Sequence, residues 1–583
     1  MKKRFLSLVM CGLITASCVT GCQLPGFKEK SNISYLYVDT YSGGFGEEYL
    51  NAMEIAFEQA YANESFAENK MGVDIVVSSS ANNKGAEFKN TIKSTNHDVH
   101  VIEGINYYDY IKDNTMLDIT EWMDDTLSDG TTIEGKLWPD QKAALSASGG
   151  RYYSLPTFSG FVGFTYDARL FRNNNLYFAD SLEDGVYPFE KSSYTGKTYT
   201  GRGFIPLEGV KKSCGPNGKY GDYDDGLPSS YEEFFYLLDQ MLSISPRITP
   251  FIGMNGHYYN YIFASLLNAN LTKDEMVANF TFDSNGKTNR IITDWNGDEP
   301  VVENLVITTE NGYQVSQQYG KYQALKFLEH LFTYKKDGVS YYDSRCEGKS
   351  LSNTQTQKVY IESDLDSKQT SIAFLVEGNY WYNEARGNLA ASVSTYKQNA
   401  VNREFNYMPL PEKETGTVES GAGTSLTLTD NLEYYLIVNA KVAKKPEKLA
   451  LAEAFIKFMY TDDSLRKMTV ASGIPFALNY EIDEENSTTY YDQMENYPRS
   501  LWNAYKVALD AGTYVTPLSG HAIFQNHNDK FGFKTTKGFF NSKINGVEKG
   551  EPHLVFWNNQ GDAKDYFKGM AISQATWIST YNK

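Results

Sequence analysis

ISYLYVDTYSGGFGEEYLNAMEIAFEQA, residues 33–60, decides the fold. Ile33 to Val38 is a strand signal, and Asp39 to Gly46 a glycine-rich loop. Tyr49, Met53, Ala56, Phe57 and Ala60 then recur at the spacing of an amphipathic helix. Two more strand signals follow, VDIVV (73–77) and DVHVI (98–102), separated by a polar helix or loop. Strand and helix in alternation predict an α/β domain with a largely parallel sheet. Ligands of such sheets sit beyond the carboxyl ends of the strands. That singles out two loops, Asp39 to Gly46 and Glu103-Gly104-Ile105-Asn106-Tyr107-Tyr108.

A second α/β set starts within GGRYYSLPTFSGFVGFTYD (149–167). It carries an irregular Gly/Tyr/Asp-rich insertion at about 183–228, a helix YEEFFYLLDQML (231–242) opened by Pro228-Ser229-Ser230, and another helix near 322–334. Turn signals around β-like runs predict hairpins within 280–318. FNYMPLP (405–411) and YYLIVN (434–439) read as strands, LALAEAFIKFMY (449–460) as an amphipathic helix, and a helical, aromatic tail ends at Trp577.

The N-terminus is a leader. Lys2, Lys3 and Arg4 precede an apolar run, Phe5 to Ala16, that is too short to span a bilayer. Val19-Thr20-Gly21-Cys22 resembles the bacterial lipobox, which implies cleavage after residue 21, a lipidated Cys22 and a polar tether over 22–32. Acyl chains partition at roughly 0.8 kcal/mol per buried CH₂, so such an anchor would hold the chain to a membrane. Losing the leader takes the formal charge from −18 to −21. That balance disfavours nucleic acid and suits a neutral or weakly basic ligand. Cys214 and Cys346 then remain, far apart in sequence, and their pairing is open.

EGNYWYNEAR (377–386) raises the question of chemistry. Glu377 and Glu384 invite a glycosidase reading, which requires carboxyls roughly 5–5.5 or 6.5–9.5 Å apart. Seven residues along one helix rise about 10.5 Å, and glycosidase acids usually come from separate elements, so the pair is not taken as catalytic. Glu377 reads instead as favouring a helix start. The histidines, among them His97, His100, His521 and His527, lack metal-protease spacing and read as surface or capping residues. No nucleophile elbow, P-loop or dinucleotide fingerprint occurs. In CGPNGKYGDYDDGLPSS (214–230), Asn217, Asp222, Asp224 and Asp225 stand among glycines, which suits a structural Ca²⁺ as well as ordinary turns. The excess of aromatics, 44 Tyr, 33 Phe and 7 Trp, suits a binding cleft.

Several stretches line up in order with one family. The lipobox start, the strand–loop–helix at 35–60, GRYYSLPTFSGFVGFTYD, EGNYWYNEAR, FNYMPLP, LIVNAKVAKKPEKLALAEAFIKFMY and SGIPF together resemble the extracellular solute-binding proteins (family 1, maltose-binding-protein-like) of carbohydrate ABC importers. The resemblance covers nearly the whole mature chain. It implies a type II periplasmic-binding-protein fold of two α/β lobes joined by three crossings, near Leu155-Pro156-Thr157, Pro409-Leu410-Pro411 and Ile474-Pro475. Lobe 1 would be 33–157 and 410–474; lobe 2 would be 158–409 and 475–583. Carried over, Gly378 lets a sugar approach the backbone and Trp381 offers it a flat face, flanked by Tyr380 and Tyr382. Tyr258, Tyr259 and Tyr261 supply further aromatics; Asp39, Tyr41, Glu103 and Asn106 supply polar groups. The implied protein is a monomeric, lipid-anchored, non-enzymatic oligosaccharide carrier that closes on its ligand and delivers it to a permease at the outer face of the membrane. A surface-anchored carbohydrate-active enzyme and a solute-binding protein for peptide or another polar solute are the alternatives.

Overall fold

Two sheets organise the chain. The computed structural model describes residues 32–581, apart from 86, 105–106, 207–208, 254–258, 349–350, 366–368, 424–425, 431–433, 483–489 and 517–539. In the first sheet the strand order is Val73–Ser80, Ser34–Tyr41, Val99–Glu103, Tyr434–Val438, Leu155–Pro156. The first three strands run parallel and Tyr434–Val438 runs against them. In Ser34–Tyr41 all residues but the last are buried, as expected of a strand covered on both faces. The helix Glu48–Ala60 supplies part of that cover, burying Tyr49, Leu50, Met53 and Phe57. The helices Pro446–Met459 and Asp462–Ser472 close the same lobe, although they are hundreds of residues later in sequence.

The second sheet has the order Phe405–Met408, Val162–Asp167, Ile372–Gly378, Thr249–Gly253. Ile372–Gly378 is parallel to Thr249–Gly253 and antiparallel to Val162–Asp167. Ser230 caps the helix Tyr231–Ser243, its Oγ accepting from the Glu233 amide at 3.1 Å. The Glu233 carboxylate accepts in turn from the Ser229 and Arg202 amides. The expected hairpin is Thr288–Asn296 with Glu299–Val306, and it lays Ile291 and Ile292 into the core.

Much of the aromatic excess is spent inside the lobes. Among the described residues, nine of the eleven largest fully buried side chains are tyrosines. Tyr199 and Tyr236 stack at 3.7 Å in the second lobe. Composition therefore reports core chemistry here at least as much as ligand chemistry.

The crossings lie side by side. The Ser159 amide donates to Pro475 O at 2.9 Å, and the Ala477 amide donates to Thr157 O at 2.7 Å. Phe158 and Phe476 form a β-bridge between those two segments. The middle crossing departs from expectation. Beyond Pro411 the chain stays on the second lobe: Lys413 and Glu414 carbonyls accept from the Tyr231 and Glu232 amides, and the Gly421 amide donates to Gly218 O. Leu428–Thr429 pairs with Tyr514–Val515, and Asp430 Oδ1 accepts from the Gly160 amide at 3.2 Å. The chain enters the first sheet only at Tyr434, so the described residues of 412–430 lie with the second lobe, where the sequence predicts the first. Proline punctuates the end of Phe405–Met408, but the hydrogen bonds that follow decide where the chain changes lobe.

Candidate ligand cleft

The strand ends meet across the gap between the lobes. Tyr41, Glu103 and Tyr434 end or begin strands at one rim of the first sheet, with Tyr434 paired to Glu103. Gly378, paired to Val162, and Gly253, one register step away beside Val376, end strands at the facing rim of the second. Direct contacts bridge the two rims. Asn383 Nδ2 donates to Gly44 O at 3.0 Å, Arg386 Nη2 donates to Ala471 O at 2.8 Å, and Arg386 Nη1 lies 3.4 Å from Glu48 Oε1. On another side of the molecule Lys273 Nζ lies 2.8 Å from Asp140 Oδ1. The lobes are closed against one another in this conformation.

EGNYWYNEAR sits on that seam, but not as one helix. Its first two residues finish the strand Ile372–Gly378, and a short helix begins only at Trp381. Which aromatic faces the other lobe follows from that start. Trp381 is fully buried, with Phe405, Tyr497, Tyr382 and Tyr360 around it at 5.4–6.1 Å between ring centroids, all edge-on. It is a core residue of the second lobe and not the flat platform expected. Tyr380 is the aromatic at the seam: half-buried, it meets Phe45 of the first lobe edge-on at 5.8 Å. Its ring lies against two glycines. A Cβ on Gly44 would come within 3.2 Å of it, and one on Gly378 within 2.3 Å. Gly378 thus makes room for the Tyr380 ring, which occupies the space assigned to ligand.

The first-lobe polar set divides. Asp39 is buried and bonded to the His100 ring on the neighbouring strand, with His97 Nδ1 at 3.4 Å from its other oxygen. Burial works against its charge, yet His100, His97 and Asn83 together outweigh it and hold the carboxyl below its usual range. Asp39 is therefore a structural residue, and His100 is a buried partner and not a surface histidine. Tyr41 and Glu103 do reach the rim. Tyr41 Oη accepts from Lys84 Nζ at 3.1 Å. Burial pushes the Glu103 carboxyl up, Lys84 and Tyr41 pull it down, and Glu384 of the facing lobe pushes it up again. Asn106 and Tyr258 lie outside the described residues. Tyr259 and Tyr261 fall in the first turn of the helix Tyr259–Asn270, with side chains outside the description.

The two acids of EGNYWYNEAR are neighbours after all. Gln357 Nε2 donates to Glu377 Oε1 at 3.2 Å and to Glu384 Oε2 at 2.6 Å, while Asn353 Nδ2 holds the other Glu384 oxygen at 3.0 Å. Burial, then the neighbouring Glu384, raises Glu377 far above the usual carboxylate range. Glu377 is only 2 % exposed and sits at a strand end, so neither a helix-start role nor a role on substrate fits it. Gln357, Asn353, Asn383 and Arg386 carry this side of the seam. Nothing in the sequence marked them, because their partners come from other elements.

Asn217, Asp222, Asp224 and Asp225 are brought together in the second-lobe insertion. Cys214 and Cys346 are both buried and are not joined to each other. Cys22, His521 and His527 lie outside the described residues.

Neither a protein-family model nor a curated protein sequence matches this chain. Solved structures do. The cyclic alpha-maltosyl-1,6-maltose binding protein from Arthrobacter globiformis superposes with a TM-score of 0.50 at 12% identity, over 95% of this chain and 100% of that one. The fold is that of the two-lobed solute-binding proteins. The apo-form of RafE from Streptococcus pneumoniae covers 95% of this chain and 100% of its own, at 13% identity and a TM-score of 0.48. A chitin oligosaccharide binding protein covers 94% and 100%, at 12% identity and a TM-score of 0.48. The two-lobed fold accounts for the paired sheets, the adjacent crossings and the rims that face each other.

Proposed function

We propose that this chain captures an oligosaccharide between its lobes by hinge closure and hands it to an ABC permease, held to the outer face of a membrane through Cys22. The observation that carries the reading is the seam itself. A half-buried aromatic, Tyr380, stands among hydrogen-bonding groups from both lobes: Tyr41 and Glu103 on one side, Asn383 and Glu384 on the other. Aromatic faces suit the C–H side of a pyranose, and carboxylates and amides suit its hydroxyls. The solved structures of similar fold include proteins named for maltosyl, chitin-oligosaccharide and raffinose ligands, which supports a sugar over a peptide. Among the described residues no helix is long and apolar enough to cross a membrane. The carboxyl pair Glu377–Glu384 supports no enzymatic reading, since Glu377 cannot reach a substrate while buried.

Calorimetry across a panel of oligosaccharides, with small-angle scattering on the same samples, tests this. At least one glycan is expected to bind and shift the balance between open and closed forms. Binding by peptides but by no glycan would overturn the cargo, and release of reducing ends from a bound glycan would overturn the carrier role.

A further inference from the structure

The acidic loop of the second-lobe insertion has a consequence independent of the sugar. Asp222, Asp224 and Asp225 each bring a carboxylate oxygen to within 4.8 Å of the other two. On a sphere of Ca–O bonds of about 2.4 Å, opposite ligands are about 4.8 Å apart, so the triplet fits within one coordination shell. The loop fixes the outer oxygens with N–H donors. Asn217 N donates to Asp224 Oδ2 at 2.9 Å, Gly221 N to Asp225 Oδ2 at 2.8 Å, and Asn217 Nδ2 to Asp222 Oδ2 at 2.7 Å.

Asp222 Oδ1 accepts from the Asp224 amide at 3.4 Å, and the two remaining oxygens point to a ligand. Asp224 is wholly buried, and its Oδ1, like Asp225 Oδ1, is a buried oxygen with no hydrogen-bond partner. Buried carboxylate oxygens that lie this close to like charges require a cation or a proton between them. Lys212 is a basic group facing Asp225. Its ammonium lies 3.4 Å over the Tyr177 ring and balances at most one of the three charges. We infer that Asp222, Asp224 and Asp225 form a structural site for a hard divalent cation, Ca²⁺, with all-oxygen ligation.

The loop's other contacts say what the ion would hold. Gly218 O accepts from the Gly421 amide, and Cys214 Sγ and Arg202 Nη2 both donate to Val418 O. The loop is thereby pinned to the segment that leads into the middle crossing. The cation would fix the anchorage of that crossing on the second lobe.

The test is titration of the EDTA-stripped, purified protein with CaCl₂, read by calorimetry, Tb³⁺ luminescence and melting temperature. We expect one site with a dissociation constant between about 10⁻⁶ and 10⁻³ M, a higher melting temperature with Ca²⁺, and at least a tenfold loss of affinity in Asp225→Asn and Asp224→Asn. Asp225→Asn is the milder change and keeps the test valid if Asp224→Asn fails to fold. Absence of binding and of any melting shift would overturn the site. So would binding that both variants retain, which would mark an adventitious ion. A melting temperature that responds to pH but not to Ca²⁺ would mark a shared proton in its place, and would also overturn it.

Discussion

The two walls of the cleft are built on opposite plans. The first-lobe wall spends its charge internally: Asp39 on His100 and His97, Lys84 on Tyr41. The second-lobe wall is aromatic and acidic, with Tyr380 at the seam, Trp381 locked behind it, and Glu377 and Glu384 sharing Gln357. Under the proposed function, a ligand site assembled from such walls would exist only when they meet, since neither presents a complete set of groups alone. Closure would then supply the binding surface as well as retain what is bound.

The sharpest way to break this contrast lies between adjacent residues. Trp381→Ala removes a wholly buried indole and is expected to cost about 3–5 kcal/mol of stability, measured by denaturant unfolding. A near-neutral result would place the indole at the seam after all. Tyr380→Ala should leave the fold nearly as stable and weaken ligand by at least about 1 kcal/mol, the scale of a lost aromatic anchor. Equal affinity in calorimetry would remove Tyr380 from the site. Smallest is Arg386→Gln, which breaks a half-exposed ion pair with Glu48 and loses about 0–1 kcal/mol. Its expected signature is a shift of the unliganded protein toward the open form in scattering, with no larger loss of stability.

Strands and helices were legible because burial writes itself into periodicity. Ser34–Tyr41, Val99–Glu103 and Tyr231–Ser243 fall within a few residues of where the pattern placed them. The cleft was less legible, because it depends on phase. Successive helix residues point about 100° apart, so a strand that runs on to Gly378 puts Tyr380 where Trp381 was expected. Asp39 was misplaced for a related reason: its partner, His100, lies on a neighbouring strand, and parallel register is invisible in a single sequence. The middle crossing was misread because a proline pair reports where a strand stops, and only long-range pairing reports which lobe the chain then follows.

One feature of the seam bears on affinity itself. The Tyr380 ring is already in contact, with Gly44 from one lobe and Gly378 from the other. A guest that takes the ring's face must compete with the host's own backbone for the seat. The apparent dissociation constant is the intrinsic one divided by the fraction of molecules in which that seat is vacant. If the chain binds its ligand as proposed, the tightness of binding is thus a ratio, tuned as readily by the residues that fill the empty seat as by those that greet the guest.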